Sequence, residues 1–165
     1  MVPVEAPAEI PLLNFSFAQL GKNAWALFSH VFLQLPDIFF NSIPAFGPLY
    51  HVSIPFVFVG IIVFTIQLFR EKNIEKQTRM LALWGFLVTG IWVGLITYEV
   101  NINRVNIIFY PIILLCAYGI GLAVRKWKKL WPVVAAAYGI SSILFFGTYF
   151  TTYAEESREY YNKDF

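Results

Sequence analysis

Four runs along the chain contain no charged residue and are long enough to cross a bilayer. They read HVSIPFVFVGIIVFTIQLF at 51–69, MLALWGFLVTGIWVGLITY at 80–98, NIIFYPIILLCAYGIGLAV at 106–124 and WPVVAAAYGISSILFFGTYF at 131–150. A spanning helix needs about 20 mostly apolar residues. Lipid leaves no water for unpaired backbone groups, so an open-chain span must be helical. The pattern predicts an all-α, polytopic membrane protein with four transmembrane helices.

The segment before the first span has a different rhythm. In FAQLGKNAWALFSHVFLQLPDIFF, residues Gln19, Lys22, Asn23, Ala26, His30 and Gln34 recur at steps of three and four and form one polar stripe on a helix. Leu20, Trp25, Leu27, Phe28, Val31, Phe32 and Leu35 fill the other faces. This predicts an amphipathic helix lying in the outer interface ahead of the spans; the alternative is a packed, tilted span, with His30, Gln34, Pro36 and Asp37 counting against it. Before it, Pro3, Pro7 and Pro11 interrupt a lead-in with no basic start, unlike a signal peptide. After it, Pro44, Gly47 and Pro48 predict a turn. The chain thus divides into an external or interfacial segment (1–50), a four-helix membrane region (51–150) and an external tail (151–165). Phe146, Tyr149, Tyr153 and Tyr160 keep a helical rhythm, so the last span is expected to continue into the tail.

Charge sets the orientation. The connection REKNIEKQTR carries Arg70, Lys72, Lys76 and Arg79, and RKWKKL carries Arg125, Lys126, Lys128 and Lys129. The middle connection has one basic residue, Arg104. Positive loops stay inside, which predicts 70–79 and 125–130 cytoplasmic, with both termini and the 99–105 loop outside.

Composition agrees. The chain is 58% hydrophobic, 19% aromatic and 13% charged, about half the charged fraction usual in a soluble domain. A net charge of +2, scattered along the chain, argues against a nucleic-acid partner. Cys116 is the single cysteine, so neither a disulfide framework nor a metal-ligand spacing is present. It reads as a small buried hydrophobe, and no metal or cofactor is predicted.

The stretch EVNINRVNIIFYP sets Glu99, Asn101, Asn103, Arg104 and Asn106 between two apolar runs. An ordinary turn, with Arg104 and Glu99 snorkelling to the interface, accounts for it. The alternative is a site for an anion. A guanidinium offers phosphate oxygens a planar fork of donors and stays charged beside lipid. Asn101, Asn103 and Asn106 can meet sugar hydroxyls or orient Arg104. Asn103, Asn106 and Tyr110 are spaced for one helix face, and Pro111 is expected to kink the span by freeing the Ile107 carbonyl. Tyr50 and His51, at the mouth of the first span, are further binding candidates. There is no Ser-His-Asp set, no Cys-His pair and no glycine-rich phosphate loop. Glu99 is the one carboxylate beside the cluster in sequence and the only catalytic candidate.

From Asn41 onward, NSIPAFGPLYHVSIPFVFVGI and NINRVNIIFYPIILLCAYGIG resemble the C-terminal half of bacterial family 39-like glycosyltransferases. These are relatives of the dolichyl-phosphate-mannose protein mannosyltransferases, with the GT-C fold. Gly47 and Tyr50 match the opening of a span in that family, and Arg104 with Pro111 match a later Arg and Pro. The resemblance implies transfer of a sugar from a polyprenyl-phosphate carrier to an acceptor on the outer face of a bacterial plasma membrane. It implies carrier binding by Arg104 and its Asn neighbours, with membrane lipids and the N-terminal half of the enzyme as partners. The family's catalytic Asp, in an early external loop, has no counterpart here. Two other classes remain open: a small four-helix transporter or channel subunit, and an assembly protein packing through Gly85, Gly90, Gly94, Gly119 and Gly121, with Gly90 and Gly94 as a GxxxG pair.

The glycosyltransferase reading treats this chain as part of a longer protein. An antibody against the tail 151–165 should then label a band in source membranes several times heavier than 19.0 kDa. A band at 19.0 kDa would favour a subunit or transporter.

Overall fold

The computed structural model describes residues 13, 15–37, 43 and 46–162. Pro3, Pro7 and Pro11 of the lead-in, Pro44 of the expected turn and residues 163–165 lie outside them. Among the described residues there is no strand, only an isolated antiparallel bridge between Leu13 and Thr97. The helices are α1 (Phe17–Val31), α2 (Ile54–Arg70), α3 (Ile74–Ile96), α4 (Phe109–Lys126), α5 (Leu130–Thr148) and α6 (Ala154–Asn162). Single 3-10 turns at His51–Ser53 and Asn106–Ile108 lead into α2 and α4, and a π turn at Tyr149–Tyr153 joins α5 to α6. Four stretches are long and apolar enough to cross a membrane: His51–Arg70, Ile74–Ile96, Asn106–Lys126 and Leu130–Tyr160. The chain is therefore an all-α protein of four candidate spans preceded by an amphipathic helix. The last stretch runs 31 residues, continuing into the tail as the tyrosine rhythm predicts.

Residues 71–73 and 127–129 are tight connections that reverse the chain, so α2 and α4 run parallel and α3 and α5 run against them. Two glycines govern the contact between α2 and α4. A Cβ on Gly60 would lie 1.9 Å from the Leu115 carbonyl oxygen, and one on Gly119 would lie 2.0 Å from that of Phe56. Each glycine thus sits over the carbonyl four residues before its opposite number, the reciprocal arrangement of parallel helices crossing backbone to backbone. Val57, Ile112, Leu115 and Cys116 pack around this crossing.

Helix α3 begins at Ile74, six residues before the expected start at Met80. The charged stretch is helical because Asn73 caps it, accepting the Lys76 backbone N–H at 3.0 Å, and because Glu75 pairs with Arg79 one turn on. Gly90 faces Ile108 and Gly94 faces Leu27, so both pack within the chain, while Gly85 and Gly121 meet nothing. Pro111 does not kink a running helix. It falls in the first turn of α4, where a missing N–H is tolerated.

Helix α1 packs antiparallel along α3, from Gln19 at Tyr98 through Leu27 at Gly94 to Val31 and Phe32 near Trp84 and Ile61. Apart from the exposed Lys22, its polar stripe turns inward, against the usual preference of an interfacial helix for polar groups in water. Asn23 is 2% exposed and its amide donates to the carbonyls of Leu95 (2.8 Å) and Thr97 (2.7 Å). Gln19 donates to Tyr98 O (2.8 Å) and to Asn23 Oδ1 (2.9 Å). These carbonyls stand at the end of α3, where no next turn exists to receive them. Trp25, Phe28 and Phe17 occupy the exposed faces. At the other end of α1, Gln34 adopts φ 53° and donates to the carbonyls of His30 and Val31, while its Oε1 accepts the Leu49 N–H at 2.7 Å. Gly47 is needed there, since a Cβ would fall 2.4 Å from Gln34 Oε1.

Of helices α1 to α5, α5 is the least embedded, with Val134 its one buried residue. It is tied in by hydroxyls: Tyr138 to Ser53 at 2.7 Å and Ser142 to Tyr50 at 3.4 Å. Phe145 adds edge contacts with Phe46 and Tyr50.

The α2–α4 crossing predicts a sharp contrast between two similar substitutions. Gly60→Ala should lower thermal stability in detergent by about 1–3 kcal/mol through overpacking. Gly121→Ala, in open space, should be neutral or slightly stabilising.

Candidate functional site

The polar stretch between α3 and α4 folds into a braced turn. Asn101 accepts the Arg104 N–H on Oδ1 at 2.9 Å and the Val105 N–H on its carbonyl at 3.1 Å. This is the local bonding through which Asn favours turns. The Arg104 guanidinium donates to the Glu99 carbonyl at 3.1 Å, which holds the exposed side chain near the start of the turn. Val105 is fully buried and pins the turn to the core. The brace from outside is Asp37, whose Oδ2 accepts the Ile102 N–H at 2.7 Å.

Beyond the turn, Asn106 and Tyr110 stand one helical turn apart at the start of α4. With Pro48, Ile102, Phe109 and Ile113 they line a groove of about 380 Å³. Pro48 and Ile113 also line a second cavity of about 450 Å³ between the segment leading into α2 and helices α4 and α5. That cavity is walled by Leu49, Ala117, Ile120 and Phe145, with Tyr50, Ser53, Cys116 and Tyr138 as its polar members. The Ser53 and Tyr138 hydroxyls bond each other, and the Cys116 thiol lies 3.6 Å from both the Ser53 carbonyl and the Tyr138 hydroxyl. Pro48 and Ile113 line both spaces, so the groove that holds Asn106 and Tyr110 and the mostly apolar cavity adjoin one another.

The predicted residues therefore fall into three groups. Asn106 and Tyr110 line the groove directly, and Tyr50 lines the cavity below it. Arg104, Asn103 and Asn101 line neither space: Arg104 and Asn103 are exposed on the turn ahead of Asn106, and Asn101 is committed to shaping that turn. His51 and Glu99 are exposed and line neither space. His30 is buried, bonded through Nδ1 to the Leu35 carbonyl at 3.2 Å, and serves the chain reversal after α1.

Sequence reasoning missed Asp37 as the brace of this loop, and it missed the Ser53–Tyr138 pair. Asp37 is 65 residues from Ile102, and the one available signal was a lone carboxylate following an amphipathic helix. Among the described residues no group of three or more His, Cys, Asp or Glu is arranged to hold a metal. No family model matches the chain, and no curated protein or solved structure matches it.

The brace can be tested by amide exchange. Asp37→Ala removes a charge-assisted acceptor worth about 1.5–3 kcal/mol. Exchange at Ile102 should accelerate about tenfold or more, with little change in the middle of α4.

Proposed function

We propose that this chain is the carrier-binding part of a membrane glycosyltransferase. In this reading the enzyme moves a sugar from a polyprenyl-phosphate to an acceptor at the outer face, as in the GT-C, family 39-like enzymes the sequence resembles. The observation that carries the reading is the adjacency of a groove holding Asn106 and Tyr110 to a mostly apolar cavity, the two sharing Pro48 and Ile113 in their linings. A polyprenyl-phosphate has the same division, with an anionic head and a methyl-branched tail.

Arg104 contacts the phosphate, because its exposed guanidinium has donors beyond the one bonded to Glu99. Asn106 and Tyr110 take hydroxyls of the attached sugar. The tail lies against Ile113, Ala117 and Ile120. Another part of the enzyme supplies the catalytic base: Glu99 stands outside the groove lining, and Asp37 is engaged with the loop backbone. The membrane is then the bacterial plasma membrane, with the 99–105 loop outside and the basic connections in the cytoplasm.

Binding of a fluorescent polyprenyl-phosphate to the chain in nanodiscs tests this. Arg104→Ala should weaken binding about tenfold or more, the loss expected for a charge-assisted contact. Ala117→Trp, which fills the cavity, should weaken binding of both the phosphate and the matching free polyprenol. Unchanged affinity in both variants would overturn the reading.

A further inference from the structure

The opposite end of the bundle carries a second amphipathic groove. Phe64 of α2, Leu83 and Phe86 of α3 and Leu114 of α4 wall a space of about 460 Å³, and Arg79 stands among its lining residues. From Arg79 to Phe86 is about 10 Å along α3, two-thirds of one leaflet's apolar depth. Around it, the connections 70–79 and 125–129 bring together eight Lys and Arg against two Glu. Lys126 lies over the Trp127 ring at 4.8 Å, a basic–aromatic pairing of the kind that suits headgroup level.

We infer that this groove is a site for an anionic phospholipid, with the headgroup phosphate on Arg79 and one acyl chain along Phe64, Leu83, Phe86 and Leu114. Arg79 is paired with Glu75, but both side chains are about three-quarters exposed, at 76% and 74%. An exposed pair of this kind is weak, and a guanidinium has donors enough to hold a phosphate as well. The surplus of positive charge selects against zwitterionic lipid, since no other acid within the two connections competes for Arg79 apart from Glu71 and Glu75. The inference is independent of carrier binding at the opposite end.

Native mass spectrometry of the detergent-solubilised chain, titrated with dioleoyl phosphatidylglycerol or dioleoyl phosphatidylcholine, tests it. The anionic lipid should bind at least about fivefold more tightly at low ionic strength, the factor expected for one basic residue at a membrane surface. Arg79→Gln should reduce that preference to less than twofold. Leu114→Trp should reduce retention of both lipids, because it fills the groove at an already exposed position while keeping every charge. Lys22→Gln, at the far end, should change neither. Equal binding of the two lipids by the unmodified chain would overturn the inference. So would a preference that survives both Arg79→Gln and Leu114→Trp, which would mark a diffuse basic belt.

Discussion

Apolar side chains gain little by leaving lipid for one another, so helices in a membrane are held by close packing and by polar contacts. Here the decisive contact is the crossing of α2 and α4 at Gly60 and Gly119, where each backbone lies on a carbonyl of the other. Everything that could form a site depends on it. The crossing fixes Ile113 and Ala117 opposite the entry to α2, and so forms one wall of the cavity that Tyr50 and Ser53 also line. On the other face of the same pair, Phe64 and Leu114 frame the groove that descends to Arg79.

Around that pair the chain solves a second problem, the carbonyls left over where α3 stops. Water would satisfy them at a soluble helix end. Here Asn23 and Gln19 do so, and the side chains that look most like a water-facing stripe are drawn inward. The aromatic residues of α1 are left to face the surroundings, which suits an apolar medium and would not suit water. One amphipathic pattern can thus be satisfied by protein on its polar side as well as by solvent.

The spans were legible because charge is absent from four runs of the right length, a signal that needs no tertiary information. The start of α3 was misplaced because IEKQTR looks like a loop in a membrane sequence; its Asn73 cap and Glu75–Arg79 pair are ordinary features of a soluble helix beginning. Gly60 escaped notice because a search for paired glycines looks along one helix, whereas Gly60 and Gly119 are partners from two. In the loop, the Asn101 turn and the one-turn step from Asn106 to Tyr110 are local and readable. The Asp37 brace and the convergence of Pro48 with Ile113 join residues 65 apart in both cases, and no local pattern encodes them.

The pairing of α1 with α3 also bears on the order of biogenesis. Asn23 is separated from its acceptors by 72 and 74 residues, with one whole span and most of another between them. At about 5–20 residues per second, α1 emerges from the ribosome roughly 4–15 s before those carbonyls exist. Until then its inward-facing amides need temporary partners in water or in the insertion machinery. Helix α1 is therefore made before the spans it depends on and settles after them, and synthesis halted before Leu95 leaves it with nothing to cap.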